Sequence, residues 1–259
     1  MKKIFFFGIA IFILFSSLQI TLAQERSFIQ LKIYTIENEE QEQRLDQYLE
    51  NAYIPAMHRA GIQHVGVFKP IEKDPFHNKH IFVLIPFKDL LQFEKIDRTL
   101  NDDKKYLSAG SEYINALHDD PPYVRIKSIL LRTFEDMPNY GVPEHNTPSS
   151  ERIYELRSYQ GSTEKKYEKK LEMFNQGGEA DIFVDLGFQP IFFGEVIIGP
   201  DMPNLMYLTT FSDEESQSEH WDAFRESPEW EALKLDPQYN NTVSHIDKYL
   251  LYPAEYSDL

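Results

Sequence analysis

Two strand-like segments of this 259-residue chain carry side chains that could bind an anion and move a proton. In the first, residues 153–159, Glu155, Arg157 and Tyr159 occupy every second position and so share one face of an extended strand. In the second, residues 242–252, His245 and Tyr249 share a face in the same way. A guanidinium binds carboxylate or phosphate groups, and histidine titrates near neutral pH. The pattern predicts a site for a small anionic or aromatic ligand, with His245, Tyr159 and Arg157 as the candidate catalytic residues.

An earlier segment, 28–35, shows the same alternation with different polar residues. Lys32 and Tyr34 lie on its polar face, and Ile29, Leu31 and Ile33 form its apolar face. We expect the apolar face to pack against helices and the polar face to line the space between two sheets. Because lysine stands where the later segment has arginine, a site that depends on the guanidinium would exist in one copy only.

The last strand of each half extends this predicted interior between the sheets. The predicted ligand-binding residues are Lys32, Tyr34, Arg125, Glu155, Arg157, Tyr159, His245 and Tyr249, with Lys127 and Asp247 on the same faces. Charged groups that are buried must be paired or solvated. Two interpretations therefore stay open. The side chains surround a polar, aromatic-walled pocket, or they pair with one another across the two halves and fill it.

Hydrophobic periodicity gives the order β-α-β-β-α-β twice along the chain. In the first copy the predicted strands are 28–35, 62–68, 80–87 and 123–133, and the helices are 38–60 and 89–118. In the second copy the strands are 153–159, 187–197, 205–211 and 242–252, and the helices are 162–176, 213–225 and a shorter one that starts at 227.

Matching residues of the two copies are separated by a nearly constant number of positions, which indicates an internal duplication. Leu31 corresponds to Leu156, and Gly61 corresponds to Gly187. Trp221 is expected to pack a helix of the second copy onto its sheet. The segment between the copies contains three prolines and a glycine without periodicity, which is typical of a linker.

The β-α-β-β-α-β order is the ferredoxin-like arrangement, whose sheet carries helices on one face only. Two such units in one chain can cover each other, sheet against sheet. We therefore predict an α+β fold in which two tandem ferredoxin-like units form an intramolecular pseudo-dimeric α/β barrel. The predicted divisions are a first unit at 24–133, a linker at 134–150 and a second unit at 151–259.

The second copy resembles the NIPSNAP family. The resemblance rests on Tyr-Glu-Leu-Arg-Ser-Tyr at 154–159, Gly-Phe-Gln-Pro at 187–190 and the aromatic, acidic stretch 221–230. The first copy is a more distant match, best at 54–62 and 65–68. The resemblance implies a dimeric α/β-barrel fold, here fused into one chain, in a superfamily that also includes small monooxygenases. It implies no defined reaction, because the family is linked mostly to protein interaction and to vesicle or mitochondrial biology.

The N-terminus has the features of a signal peptide. Lys2 and Lys3 precede an apolar run at 4–20, and Thr21 to Ala23 offer a small-residue cleavage site. We expect residues 1–23 to direct export to the periplasm or outside the cell, with an uncleaved membrane anchor as the alternative. The formal net charge of −16 argues against nucleic acid or an anionic membrane surface as a partner. A protein partner or a homo-oligomer stays open.

The sequence lacks the usual signatures of cofactor and metal sites. It has no cysteine, no glycine-rich phosphate loop and no Gly-x-Ser-x-Gly elbow. His77 and His80 are too loosely spaced to predict a metal site. We expect no cofactor and no metal, and a module that binds a small ligand or a partner without a defined reaction. The alternative is a small oxidoreductase or isomerase that acts on an aromatic or anionic metabolite inside the barrel.

Overall fold

The computed structural model describes residues 25–259, and the predicted signal peptide lies outside these residues. Eight strands close into one barrel in which every neighbouring pair is antiparallel. The strands are β1 (Phe28–Thr35), β2 (Gly66–Pro70), β3 (His80–Phe87), β4 (Arg125–Thr133), β5 (Ile153–Gln160), β6 (Gln189–Ile198), β7 (Asn204–Phe211) and β8 (His245–Pro253).

The strand order around the barrel is β1-β3-β2-β8-β5-β7-β6-β4. Four consecutive strands come from each half of the chain, and the pairs β2–β8 and β4–β6 join the halves. Closure leaves no open sheet edge, which removes the sites where another chain could add a strand. The predicted α+β barrel of two ferredoxin-like halves is confirmed.

The first half carries helices α1 (Glu39–Tyr48), α2 (Ile54–Arg59), α3 (Leu90–Asp102), α4 (Lys104–Ala109) and α5 (Ser111–Ile114). The side chain of Asn38 caps α1 by accepting a hydrogen bond from the Gln41 backbone N–H. A π-helical turn, Leu49–Tyr53, joins α1 to α2 where Pro55 cannot donate a backbone hydrogen bond. The helix predicted at 38–60 is therefore interrupted by a widened turn next to this proline.

The second half carries α6 (Glu164–Phe174), α7 (Glu179–Asp185), α8 (Glu214–Glu226) and α9 (Pro228–Lys234). Helix α7 was not predicted, because its seven residues are too few to show a periodicity of 3.6. It corresponds to α2, since Gly61 follows α2 and Gly187 follows α7, both with positive φ angles of 86° and 83°. Glycine adopts this backbone conformation without strain, so the matched glycines have the same structural role.

The face assignment predicted for the first strand of each half is wrong. One apolar cluster contains Leu31 and Ile33 from β1 together with Tyr154 and Leu156 from β5, so these faces point into the barrel. The polar faces, which include Arg157, point toward the helices instead. Strand alternation distinguishes two faces but does not say which one the helices cover, and here both faces are covered.

The last strands have the predicted faces but do not bring their charges inside the barrel. Arg125 and Lys127 share the inward face of β4 with Ile129. Both are nevertheless exposed, because they lie at the start of the strand, at the end of the barrel. His245 on β8 has a side chain that is 60% exposed. The middle of the barrel is therefore an apolar packed core, and among the described residues neither the predicted polar pocket nor the predicted charge pairs lie between the sheets.

No helix in the described part of the chain is long and apolar enough to cross a bilayer.

Candidate functional site

The outward face of β5 forms a buried polar site between the sheet and the helices of the second half. Glu155, Arg157 and Tyr159 alternate with the inward residues of this strand, and Tyr207 on β7 lies directly beside Arg157 in the strand register. Helix α8 supplies Trp221 over the same face. We call this group the β5 site. It contains three of the residues predicted from the sequence and brings them together on the helix side of the sheet.

Glu155 is the acceptor at the centre of the β5 site. Its side chain is 0% exposed and accepts three hydrogen bonds of 2.6 Å each, from Arg157 Nε, Gln217 Nε2 and Trp221 Nε1. Gln217 and Trp221 are four residues apart on α8 and therefore lie on one helix face. These three donors offset the cost of burying the carboxylate and hold it in one orientation.

The Arg157 guanidinium lies flat against an aromatic ring and still has an unused edge. Its Cζ is 3.6 Å from the centre of the Trp221 ring, and its Nη1 donates to the Tyr159 hydroxyl at 3.3 Å. Its Nη2 has no hydrogen-bond partner among residues 25–259, and the side chain is 17% exposed. Burial lowers the pKa of Arg157, but Tyr207, Tyr159 and Glu155 raise it by more, so the cation is retained. The unused N–H groups can bind an incoming acceptor.

Two tyrosine hydroxyls continue the hydrogen-bonded chain behind Arg157. The Tyr159 and Tyr207 hydroxyls are 2.9 Å apart. Tyr207 is completely buried, and burial raises its pKa well above the ordinary value. The phenol of Tyr207 is therefore neutral at physiological pH and serves as a hydrogen-bond donor or acceptor, not as an anion.

A second buried ion pair closes the β5 site on the side of α6 and α7. Lys170 Nζ donates to Glu179 Oε2 at 2.5 Å, and both side chains are almost fully buried. The ammonium also lies 4.6 Å from the Phe174 ring centre and 5.9 Å from that of Trp230. Burial raises the pKa of Glu179, while Lys170 and then Arg157 lower it. The site thus combines two cations, two acids and several aromatic rings.

Sequence reasoning did not find four members of the β5 site: Lys170, Glu179, Tyr207 and Gln217. All lie on elements other than β5, and no motif links them to it. Trp221 was predicted only as a packing residue, whereas its indole N–H also binds Glu155. One signal was available, because a strand with two charged residues at alternate positions needs buried partners on the elements that cover it.

Residues 25–133 contain no equivalent of this ion-pair network. Lys32 Nζ is 3.4 Å from the Tyr53 hydroxyl and lies over the same ring, at 5.1 Å from its centre. Tyr34, the counterpart of Tyr159, is buried in a cluster of tyrosines, and burial raises its pKa. Gln30 replaces the central glutamate and donates to Ser128 at an exposed position. Among the described residues, the buried arginine that can bind an acceptor is therefore found in the second half.

The remaining predicted residues lie away from the β5 site. Arg125 Nη1 donates to the neighbouring Val124 carbonyl at 2.6 Å. His245 Nε2 is 3.0 Å from Asp247, at the exposed start of β8. Tyr249 is half-buried at this end of the barrel, next to Phe82, and burial followed by three nearby aspartates raises its pKa to about 12. The eight predicted ligand-binding residues do not form one pocket. His245 pairs with Gln160 at the end of β5 and lies on the opposite face of the sheet from Arg157.

The loosely spaced histidines have protein partners of their own. His77 Nδ1 bonds to the Pro70 carbonyl at 2.9 Å, and His80 stacks on Phe76 with the ring centres 4.6 Å apart. Within residues 25–259 no group of three or more histidines and acids is arranged to hold a metal ion.

The closed barrel with its helices outside and its polar site on the second half defines a single-chain α/β barrel of two ferredoxin-like halves. Residues 154–258 match the NIPSNAP family model. The chain therefore contains a NIPSNAP domain, and that domain includes the whole of the β5 site. The match covers the second unit, and the tandem NIPSNAP assignment of the first unit stays a prediction.

Three solved structures share the barrel over most of their length. The "Putative monooxygenase" from Fusobacterium nucleatum is 8% identical, with a TM-score of 0.58 over 89% of this chain and 93% of its own. The "putative monooxygenase" from Lactobacillus acidophilus is 10% identical, with a TM-score of 0.55 over 88% and 94%. An "anthrone oxidase-like protein" is 9% identical, with a TM-score of 0.54 over 90% and 93%. At these identities the likeness concerns the fold. A comparison with curated proteins finds no match.

Proposed function

We propose that this protein is a binding module for a small anionic, aromatic compound, which Arg157 holds at the β5 site of the NIPSNAP domain. The observation that carries the proposal is the state of this side chain. Its guanidinium is largely removed from water, stacked on Trp221 and fixed by Glu155, yet its Nη2 has no partner among the described residues. Arginine in this setting binds a carboxylate or phosphate with defined geometry.

The unused guanidinium edge and the rings beside it favour a carboxylate or phosphate group on a flat apolar body. Arg157 is paired with Glu155 and Lys170 with Glu179, so the free N–H groups of Arg157 would hold the ligand, and not a surplus of positive charge. Trp230, which is half-buried, offers an aromatic surface on which a ring can stack. Helix α9, which carries Trp230, has seven residues and none of them is buried. We expect this helix to move when a ligand enters.

The test uses tryptophan fluorescence, because the two tryptophans of the chain, Trp221 and Trp230, both lie at the β5 site. Benzoate should change the emission in a saturable way, and benzamide, which lacks the charge, should not. Arg157→Lys keeps the charge but loses the planar fork, so we expect at least tenfold weaker binding, or about 1.4 kcal/mol.

Arg225→Lys is the matched control for this experiment. Arg225 lies on α8 beside the site but pairs with Asp222 at the surface, so its replacement should leave benzoate binding unchanged. The absence of any saturable response to benzoate and related aromatic acids would contradict the proposal. An equal loss of binding in both variants would contradict the role of Arg157.

A second candidate function, a small oxidoreductase or isomerase acting on such a ligand, is favoured by one observation. The Tyr159 and Tyr207 hydroxyls form a chain behind Arg157 along which a proton could pass to or from a bound ligand. Product formation that disappears in Tyr207→Phe, while the fluorescence response remains, would support this candidate. Binding without any product would leave the binding module as the function.

We also propose that the protein is exported. The support is the positive start, the apolar run and the small residues that end at Ala23. The intact mass of the protein recovered from its own cells should correspond to a chain that begins at Gln24. A mass that includes residues 1–23 would instead indicate a retained anchor. A partner protein and a homo-oligomer are the further binding modes we propose to look for if the β5 site takes no ligand.

A further inference from the structure

The predicted linker, 134–150, is a docked strap that closes one end of the barrel. Tyr140 packs against the apolar interior, and its hydroxyl is 2.9 Å from His64 Nδ1. The Gly141 N–H donates to the Ile191 carbonyl at 2.7 Å. This end of the barrel, where β5 begins and β7 ends, is called the floor. The strap therefore shields the side chains at the floor from solvent.

Four buried polar atoms under the strap have no hydrogen-bond partner among residues 25–259. They are Tyr154 Oη, Thr210 Oγ1, Thr147 Oγ1 and His145 Nε2. Tyr154 is 0% exposed and Thr210 is 1% exposed, and the two residues pair directly across β5 and β7. Buried polar atoms in folded proteins almost always have partners. Gln189 pairs with Thr210 across β6 and β7 and contacts His145, so these atoms lie at one end of the barrel and are available to a ligand.

Arg152 adds a cation to the same place. Its Nε and Nη2 donate to the Thr147 carbonyl at 3.2 and 3.1 Å, and Nη2 also reaches the His145 carbonyl at 3.4 Å. It forms no ion pair with any carboxylate in the described part of the chain. Burial raises the pKa of Tyr154, and the Thr210 hydroxyl and Arg152 lower it, as expected if both groups lie beside the phenol. The floor therefore holds an uncompensated positive charge.

The hydrogen-bond network around His145 makes its Nε2 a donor. Gln189 Oε1 accepts from the Glu144 backbone N–H at 2.9 Å, which orients the amide so that its Nε2 donates to His145 Nδ1 at 3.3 Å. His145 then carries its proton on Nε2. Burial lowers the pKa of His145, with Arg152 and His220 lowering it further, which keeps the ring neutral. Every unsatisfied group at the floor can thus donate a hydrogen bond.

We propose that the floor binds a small anion, of the size of a halide or a simple carboxylate, held by Arg152, Tyr154, Thr210 and His145. An anion accepts from all of these donors and compensates the charge of Arg152. It also joins the strap, through His145 and Thr147, to the two strands beneath it. The floor site and the β5 site lie on opposite faces of β5, so this inference does not depend on the proposed function.

The experiment uses bromide as the probe, in crystals of the full-length mature protein. We expect an anomalous diffraction peak within hydrogen-bond distance of the Tyr154 hydroxyl and the Arg152 guanidinium. Thr210→Val, which replaces the hydroxyl by a methyl group of the same size, should abolish the peak. An ordered water cluster with no anomalous signal in the wild-type protein would overturn the proposal.

Bromide binding can also be measured in solution from the melting temperature of the protein. Bromide should raise the melting temperature of the wild-type protein at constant ionic strength, and Thr210→Val should shift the half-maximal bromide concentration upward by at least fivefold. Thr209→Val is the control, because the Thr209 hydroxyl is also buried and without a partner but points to the helix side. Equal shifts in the two variants would overturn the assignment of the site to the floor.

Discussion

Replacement of Glu155 by alanine is expected to lower the free energy of unfolding by about 3–5 kcal/mol. The carboxylate is fully buried and accepts from Arg157, Gln217 and Trp221. Its removal leaves a cation and two neutral donors without their acceptor, at a position where the carboxylate was fully buried. Urea unfolding followed by circular dichroism measures this loss.

The control for Glu155→Ala is Glu195→Ala. Glu195 also pairs with two arginines, Arg26 and Arg132, but its side chain is 18% exposed and water can replace the lost bonds. We expect a loss of about 1 kcal/mol for this variant. Equal losses for the two variants would show that burial does not set the strength of the network around Glu155. Glu155→Gln keeps the volume of the side chain, so its free energy of unfolding should lie between those of the wild-type protein and Glu155→Ala.

Replacement of Phe82 by alanine is the second change with a large expected effect, again about 3–5 kcal/mol. Phe82 is 0% exposed and belongs to the apolar cluster that fills the barrel. Its loss would leave a cavity that the closed ring of strands cannot collapse to fill. Equilibrium unfolding in urea gives the free energy.

Phe76→Ala is the matched control for the barrel interior. Phe76 and Phe82 both contact Tyr249, with ring centres 5.4 and 5.1 Å from it, but Phe76 is 36% exposed at the barrel end. We expect Phe76→Ala to cost less than about 1 kcal/mol. A small effect of Phe82→Ala would mean that the barrel interior is not a packed core and would return the ligand pocket to the space between the sheets.

The residues that the sequence analysis grouped into one site lie in different places in the structure. Arg157 and Tyr159 lie in one buried network, whereas Arg125 and His245 are exposed as the first residues of β4 and β8. His245 is exposed and lies outside the buried network of the β5 site, so the structure offers no support for a catalytic role of this residue. The proposals for binding and for proton transfer accordingly rest on Arg157, Tyr159 and Tyr207 alone.

The amino-acid sequence by itself determined the order of the elements and the closed barrel. Two strands, 28–35 and 80–87, have the predicted limits, and the matched glycines Gly61 and Gly187 have the same backbone conformation. These features depend on local patterns, namely alternation with a period of two and a turn that only glycine adopts without strain. The duplication then required each unit to cover the other.

Only the tertiary structure decided which side of β1 and of β5 faces the helices. Alternation separates Arg157 from Leu156, but both faces of a barrel strand are buried when helices surround it, so polarity alone gave the reverse assignment. The partners Lys170, Glu179 and Tyr207 come from elements distant in sequence, and the strap from 134 to 150 lacks any periodic signal. Long-range packing fixed these contacts, because a buried charge takes its partners from whichever elements close over it.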